Sequence, residues 1–172
     1  MNLINALALE KPEGQLFKLC SCDYVVGNNE QHYPIELINS LQPSGMPLHK
    51  IILKVGAPIM LLRNLDIKNG LSNGTRLIVT KIGRRVLEAE IAVGANIGRK
   101  VFIPRIKLCP SDYPISFERI QFPVQLCFSM YINKAQGQSL QRFGVICRIL
   151  FFHMDNYMLH FLEQTIQKIS RF

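Results

Sequence analysis

The sequence lacks the features that would place it among membrane or secreted proteins. Its longest apolar runs, such as the one at Pro58 to Leu62, are far shorter than the roughly 20 residues that cross a bilayer. No charged segment followed by an apolar one resembles a secretion leader. We therefore expect a soluble protein that is not secreted and has no membrane partner.

The cysteines form no recognisable disulfide or metal framework. There are five of them, at Cys20, Cys22, Cys109, Cys127 and Cys147. They make neither an even set nor a C-x-x-C pair, and no His pair completes a zinc quartet. We expect reduced, mostly buried thiols and no metal site. The alternative is metal or redox chemistry at Cys20-Ser21-Cys22, although ligand spacings are usually wider.

Phosphate-binding motifs for ATP are also missing. The sequence contains no G-x-x-x-x-G-K-[S/T] loop, so no lysine is placed to reach the β and γ phosphates. No Asp-Glu pair follows an apolar strand, where it could hold magnesium. The chain therefore carries no self-contained ATP site of the P-loop kind.

What the sequence does contain is enough apolar residues for a core and an uneven charge. At 172 residues and 48% hydrophobic, it can bury roughly two-thirds of its unfolded surface. From Lys50 to Arg148 there are 16 basic and 5 acidic residues, a balance of +11, whereas the rest carries 4 basic and 7 acidic residues. A basic middle favours a polyanion such as nucleic acid, because neutralised phosphates release counterions. A merely solvated basic surface is the alternative.

The N-terminal third predicts short mixed elements. Met1 to Leu9 is typical of the end of a helix, and Phe17 to Val26 of a strand broken at Gly27-Asn28-Asn29. Tyr33-Pro34 opens a helix over Ile35 to Leu41. The two prolines in Pro43 to Pro47 forbid its continuation.

The middle of the chain predicts a small β structure. Asn69-Gly70 and Asn73-Gly74 are turn signals, because Asn and Gly tolerate positive φ, and Gly83 and Gly94 mark further breaks. Several short strands at nearly regular spacing favour a closed barrel of the SH3 or OB kind, which often binds nucleic acid. The expected strands are Ile51 to Val55, Pro58 to Arg63, Thr75 to Ile82, Val86 to Val93 and Lys100 to Leu108.

After a turn at Pro110-Ser111-Asp112, a buried strand at Phe122 to Ile132 runs directly into a polar, glycine-containing segment, Asn133 to Ser139. A strand that delivers such a turn is the geometry in which α/β sheets present ligand-binding groups.

Three separated blocks resemble the Pif-type ATP-dependent DNA helicases of superfamily 1B, which include the helicase parts of eukaryotic rolling-circle transposons. The resemblance covers Tyr33 to Gly144. Its blocks, in the family's order, are LKVGAPIMLLRNLDIKNGLSNGTRLIV (Leu53 to Val79), VFIPRI (Val101 to Ile106) and QFPVQLCFSMYINKAQGQS (Gln121 to Ser139).

The resemblance implies an α/β fold with a β-barrel insert, in which a partial second RecA-like domain carries a small SH3-like barrel. It implies ancestry in an enzyme that uses ATP and Mg²⁺ to unwind duplex DNA while moving on single-stranded DNA, in processes such as repair, recombination and telomere maintenance. It also implies a nuclear protein, with mitochondria as the alternative. Without the first RecA-like domain, we expect the chain to be inactive alone and to hold no cofactor tightly.

The resemblance also assigns residues to DNA. The last block is helicase motif V, which places Lys134, Gln136, Gly137 and Ser139 where single-stranded DNA meets the nucleotide cleft. A translocating helicase holds phosphates without reading bases, so amides, a small hydroxyl and a cation suit the task. In the barrel, Asn73, Gly74 and Thr75 would shape a turn.

Two arginines, Arg63 and Arg76, would contact phosphate in the same barrel. The structural alternatives are a plain hairpin turn at Asn73-Gly74 and a solvated face for the two arginines. Tyr131 and Ala135 depart from the small hydroxyl residues that are more frequent in the family, which affects the hydrogen bonding expected near DNA.

The resemblance ends at Gly144, and motif VI, of the form SHGQLYVALSRA, is absent. If one nucleotide was lost near the Gly144 or Val145 codons, codon overlap permits this motif to be recovered in register across Phe152 to Gln164. We therefore expect a frameshifted tail. The predicted organisation is a remnant of the second RecA-like domain (1–32), the 2B barrel region (33–109), the RecA-like part with motif V (110–144) and the tail (145–172).

Two further functions remain open from the sequence. One is a non-enzymatic barrel that binds single-stranded DNA, for which the basic middle would suffice. The other is an inert remnant whose sheet edge once paired with missing strands.

Overall fold

The computed structural model describes residues 2–10, 13–26, 33–110 and 113–129, all within the unit Met1–Ala135. Strands dominate this part of the chain. The elements in chain order are α1 (Asn2–Glu10), β1 (Phe17–Cys20), β2 (Cys22–Val25), α2 (Ile35–Ser40), β3 (Lys50–Leu53), β4 (Pro58–Leu61), a 3₁₀ turn (Ile67–Asn69), β5 (Arg76–Ile82), β6 (Val86–Ile91), β7 (Lys100–Pro104), β8 (Ile106–Leu108), β9 (Phe117–Gln121) and β10 (Val124–Leu126).

The fold of these residues is mostly β, which corrects the α/β expectation for this part of the chain. Every strand pairing described here is antiparallel. Parallel α/β sheets need a crossover of a dozen or more residues, usually a helix, between paired strands. Here α1 and α2 are short. No described helix is long and apolar enough to span a membrane.

The largest sheet has five strands in the order β10-β4-β5-β6-β7. Strands β4 to β7 follow one another in sequence, so the sheet is a meander extended at one edge by β10. Alternating residues of β5, β6 and β7 point into its core, as shown by the buried Leu77, Val79, Leu87, Ala89 and Ile103. Within the described residues β7 and β10 do not pair, so the sheet is open and the predicted closed barrel is not formed.

Arg105 divides a segment that the sequence predicts as one strand. Lys100 to Leu108 forms β7, which pairs with β6, and β8, which pairs with β9 in a different sheet. Alternation of apolar residues indicates a strand but does not show which neighbour it pairs with, so the change of sheet at Arg105 left no signal.

The predicted strand at Phe122 to Ile132 is also shorter than expected. Strand β9, which was not predicted, lies in a three-stranded sheet of order β2-β9-β8. Phe122 and Pro123 carry the chain out of that sheet, and β10 ends at Leu126. Proline has no N–H to donate to a ladder, which suits it to such a break. The remainder of the predicted strand beyond Ser129 lies outside the described residues.

The three-stranded sheet packs with α2 on a second, smaller core of Ile38, Met46, Leu108 and Phe117. Helix α2 starts directly after Pro34 and ends at Ser40, in agreement with the prediction. Proline is favoured at the start of a helix, where a backbone N–H would have no partner.

A buried arginine joins this sheet to α2. Arg119 of β9 and Asp23 of β2 both have fully buried side chains and form a bidentate ion pair, with Nη2 2.7 Å from Oδ2 and Nε 3.1 Å from Oδ1. The remaining N–H groups donate to the carbonyls of Ile38, Leu41 and Pro47 at 3.0 to 3.2 Å. All five guanidinium donors are therefore used inside the fold.

Candidate nucleic-acid interface

The loop between β4 and β5 contains three of the residues predicted to meet DNA. Asp66 begins its 3₁₀ turn, and its side chain accepts a hydrogen bond from the Asn69 backbone N–H. Gly70 and Gly74 adopt φ of 83° and 90°, the left-handed region that glycine tolerates. The turn predicted at Asn73-Gly74 is confirmed, with the Thr75 N–H donating to the Ser72 carbonyl at 3.0 Å.

Inside this loop the two polar side chains differ in availability. The Thr75 hydroxyl donates to the Gly70 carbonyl at 2.9 Å and accepts from the Ser72 N–H at 3.1 Å. It therefore stabilises the loop. Asn73 is exposed, and its backbone N–H donates to Oδ1 of Asn64 at 2.7 Å.

Arg63 is held by the protein's own backbone. Its half-buried guanidinium donates through Nη1 to the carbonyls of Gly45 and Leu62, at 2.8 and 2.9 Å. These bonds attach the start of the β4–β5 loop to the proline-containing segment after α2. The structure gives Arg63 a role in loop packing, and phosphate contact stays a prediction.

Arg76 lies beside the chain where it leaves β10. It is the first residue of β5 and pairs with Met60. Burial raises the pKa of the Cys127 thiol, while the charge of Arg76 and its hydrogen bond to the sulfur act in the opposite direction. The Cys127 N–H donates to the Pro58 carbonyl at 2.9 Å. Arg76 thus reaches the start of the segment that leads to motif V.

Asn5 of α1 fixes the same segment. Its Nδ2 donates to the carbonyls of Leu126 and Ser129, and its Oδ1 accepts from the Ser129 N–H at 2.8 Å. Ser129 is the last described residue. The sequence offered no signal for Asn5, because its partners lie more than 120 positions away.

The structure describes only some of the predicted site residues. Strand β10 runs antiparallel to β4, from Val124 beside Leu61 to Leu126 beside Ile59. The loop with Arg63, Asn73 and Thr75 therefore lies at the end of the five-stranded sheet where β10 begins. After β10, the chain leaves this sheet at the opposite end. Lys134, Gln136, Gly137 and Ser139, together with the proposed frameshifted tail, lie outside the described residues.

The thiols are more exposed than expected. Cys20, Cys22 and Cys109 are exposed, which corrects the prediction of mostly buried thiols, and only Cys127 of the described cysteines is buried. Strands β1 and β2 put Cys20 and Cys22 on a sheet surface where no apolar layer covers them.

The residues do not fit ATP and Mg²⁺. Among the described residues, no group of three or more His, Cys, Asp and Glu side chains could hold a metal ion. The sequence also has no phosphate-binding P-loop. Among the described residues, the arginines of the β4–β5 region offer cations for an anionic ligand.

Comparison with known proteins gives one consistent family. Residues 36–82 match the family model described as DNA helicase Pif1, 2B domain. The ATP-dependent DNA helicase PIF1 of Xenopus laevis is 33% identical over 94 residues, which is 53% of this chain and 14% of that protein. ATP-dependent DNA helicase Pif1 of Bdellovibrio bacteriovorus is 30% identical over 118 residues, 67% of this chain and 25% of that protein. The chain thus spans a quarter or less of these relatives.

Solved structures agree on the fold. Pif1 helicase from Candida albicans aligns with a TM-score of 0.58 at 23% identity, covering 81% of this chain and 35% of that one. Pif1 helicase from Bacteroides, in complex with ADP-AlF3 and single-stranded DNA, aligns with a TM-score of 0.54 at 25% identity, covering 79% and 29%.

Proposed function

This chain belongs to the Pif-type helicase family over part of its length, and on that premise we propose that it is the DNA-gripping portion of an ATP-dependent DNA helicase. The observation that carries the proposal is the 2B match at residues 36–82, which spans α2 to β5. The five-stranded sheet would be the counterpart of the family's SH3-like barrel. The chain beyond β10 would belong to the second RecA-like domain, so that the boundaries at 33, 110 and 145 separate its parts.

Its task would be to hold the phosphates of single-stranded DNA without reading bases. Lys134 would supply a cation, Ser139 a hydroxyl, and Gly137 a close approach of the backbone to phosphate, with Gln136 beside them. Arg76 supports this assignment, because it lies at the point where the chain leaves β10 towards these residues. Such contacts are independent of sequence, as a translocating enzyme requires.

ATP hydrolysis would need a P-loop and magnesium ligands that this chain lacks. We therefore propose that the chain alone is inactive as an ATPase and that its natural complement is the first RecA-like domain of the parent helicase. The compartment we propose is the nucleus, where the parent enzyme would meet DNA.

A salt series with the purified chain tests this proposal. We expect it to bind labelled oligothymidine with an affinity that falls steeply as salt rises, and to hydrolyse no ATP with or without DNA. Lys134→Ala and Ser139→Ala should each weaken binding, whereas Lys18→Ala, at an exposed lysine of β1 outside the β4–β5 loop, serves as the control. Turnover of ATP would contradict the inactivity, and absence of DNA binding would contradict the DNA role.

A second candidate, a non-enzymatic barrel that binds single-stranded DNA, is favoured by the basic balance of the middle region. The same variants separate the two candidates. If the barrel alone binds DNA, Lys134→Ala and Ser139→Ala will leave the affinity unchanged.

A further inference from the structure

The turn between β5 and β6 carries two adjacent arginines on a fixed backbone. Arg84 and Arg85 are both exposed. The turn is tight, because the Gly83 N–H donates to the Val86 carbonyl at 3.0 Å and a Cβ at Gly83 would lie 2.7 Å from that oxygen. Only glycine fits there without a shift of the backbone, so the two arginines start from a defined position.

Arg105 locks this turn to the rest of the fold. Its Nε donates to the Arg84 carbonyl at 3.0 Å, and its backbone N–H donates to the Arg85 carbonyl at 3.3 Å. Its Nη1 donates to the Cys20 carbonyl at 2.6 Å, and its guanidinium carbon lies 4.7 Å from the centre of the buried Phe122 ring. The positive charge of Arg105 is thereby held where three sheets meet.

A fourth cation completes the cluster. Lys50 of β3 is exposed and pairs with Cys20, whose carbonyl accepts from Arg105. We call Lys50, Arg84, Arg85 and Arg105 the basic corner. None of these four side chains takes part in an ion pair among the described residues, where the pairs involve other basic residues.

Two carboxylates of the neighbouring strands β6 and β2 are engaged elsewhere. Glu88 accepts from the Thr80 hydroxyl and lies 3.9 Å from Nζ of Lys100. Asp23 is buried against Arg119. The basic corner therefore presents positive charge that the described part of the fold does not neutralise, and a surface of this kind attracts a polyanion.

The basic corner and the Asn73 turn lie towards opposite ends of the five-stranded sheet. Strand β5 runs from Arg76 past Ile78, the partner of Pro58, towards the Gly83 turn. Strand β10 runs in this direction too and ends beside Pro58. The basic corner therefore lies towards the end of the sheet where β10 ends, and the Asn73 turn lies at the end where β10 begins.

We propose that the basic corner is a second binding site for the phosphate backbone of single-stranded DNA, and that Arg84 and Arg85 make its contacts. This inference rests on the proposed DNA-gripping function. Arg105 acts as a positioning residue that holds the turn. The site reads no bases, because it offers only cations on a rigid turn.

Binding of labelled oligothymidine by the full chain across a salt series tests the site. A plot of log affinity against log salt falls with a steepness of about 0.7 per phosphate contact for single strands. Arg84→Gln/Arg85→Gln should therefore reduce that steepness by about 1.4. At low salt the affinity should fall several-fold. Arg84→Lys/Arg85→Lys keeps both charges and should retain most of the affinity.

The control pair Lys18→Gln/Lys100→Gln removes the same charge from exposed positions outside both the basic corner and the β4–β5 loop. If it lowers the slope as much as the arginine pair, the effect is one of total charge and the site is refuted. An arginine pair that binds like wild type also refutes it while leaving the DNA role intact. If the wild-type chain binds no DNA at any salt, the proposed function and this site are both refuted.

Discussion

Replacing Arg119 by methionine should remove a large part of the stability of the described domain. The side chains of Arg119 and Asp23 are both fully buried. Removing one partner of a buried ion pair costs about 3–5 kcal/mol, because the other charge is left in the interior. The carbonyls of Ile38, Leu41 and Pro47 also lose a donor. We therefore expect a loss of about 3–5 kcal/mol, which is a large share of the about 5–15 kcal/mol that stabilises a typical domain.

Urea unfolding followed by circular dichroism measures this loss, since the sequence has no tryptophan to report by fluorescence. The double variant Asp23→Asn/Arg119→Met should recover part of the stability, because no buried charge remains. Lys107→Met is the matched control, which breaks the exposed pair with Glu118 at 2.6 Å and should change stability far less. A loss of less than about 1 kcal/mol for Arg119→Met, the range of exposed pairs, would refute the reasoning.

Three further outcomes are expected. Cys127 should react more slowly with iodoacetamide at neutral pH than the exposed Cys22, because burial raises the pKa of Cys127 and keeps its thiol protonated. Peptide mass spectrometry measures the alkylated fraction of each cysteine over time. Because the pKa of Cys127 is higher in the folded than in the unfolded chain, the free energy of unfolding should decline as pH rises past the ordinary thiol pKa. Thr75→Val should lower the free energy of unfolding by about 1–3 kcal/mol through two lost hydrogen bonds, without weakening DNA binding. Asn5→Ala should lower the free energy of unfolding by about 1–3 kcal/mol and should speed proteolytic cleavage near Ser129. An unchanged cleavage rate would contradict the anchoring role of Asn5.

Local chemistry made several elements predictable. Pro34 marked the start of α2, because proline fixes φ near the helical value. Asn73-Gly74 marked a turn, because glycine allows positive φ. The strands of the meander followed from alternation. Family resemblance then identified the 2B segment, which composition alone could not do.

Long-range pairing was not predictable in the same way. Arg119 donates to groups 72 to 96 positions away, and nothing near it in sequence reveals a buried cation. Gln121 is also fully buried, with its amide donating to the carbonyls of Leu19 and His49. In a short strand, both residues look like ordinary polar positions on a solvent-facing side. The sheet change at Arg105 was hidden for the same reason.

The pairing of β2 with β9 has a consequence for the order of folding. Val25 pairs with Phe117, so this ladder closes a loop of about 90 residues, at an entropic cost of about 4 kcal/mol. The meander β4 to β7 closes only short loops and can form first, which brings the distant strands closer together. Contacts that form late influence mainly the unfolding rate. Substitutions at Arg119 should therefore accelerate unfolding, and substitutions within the meander should slow folding.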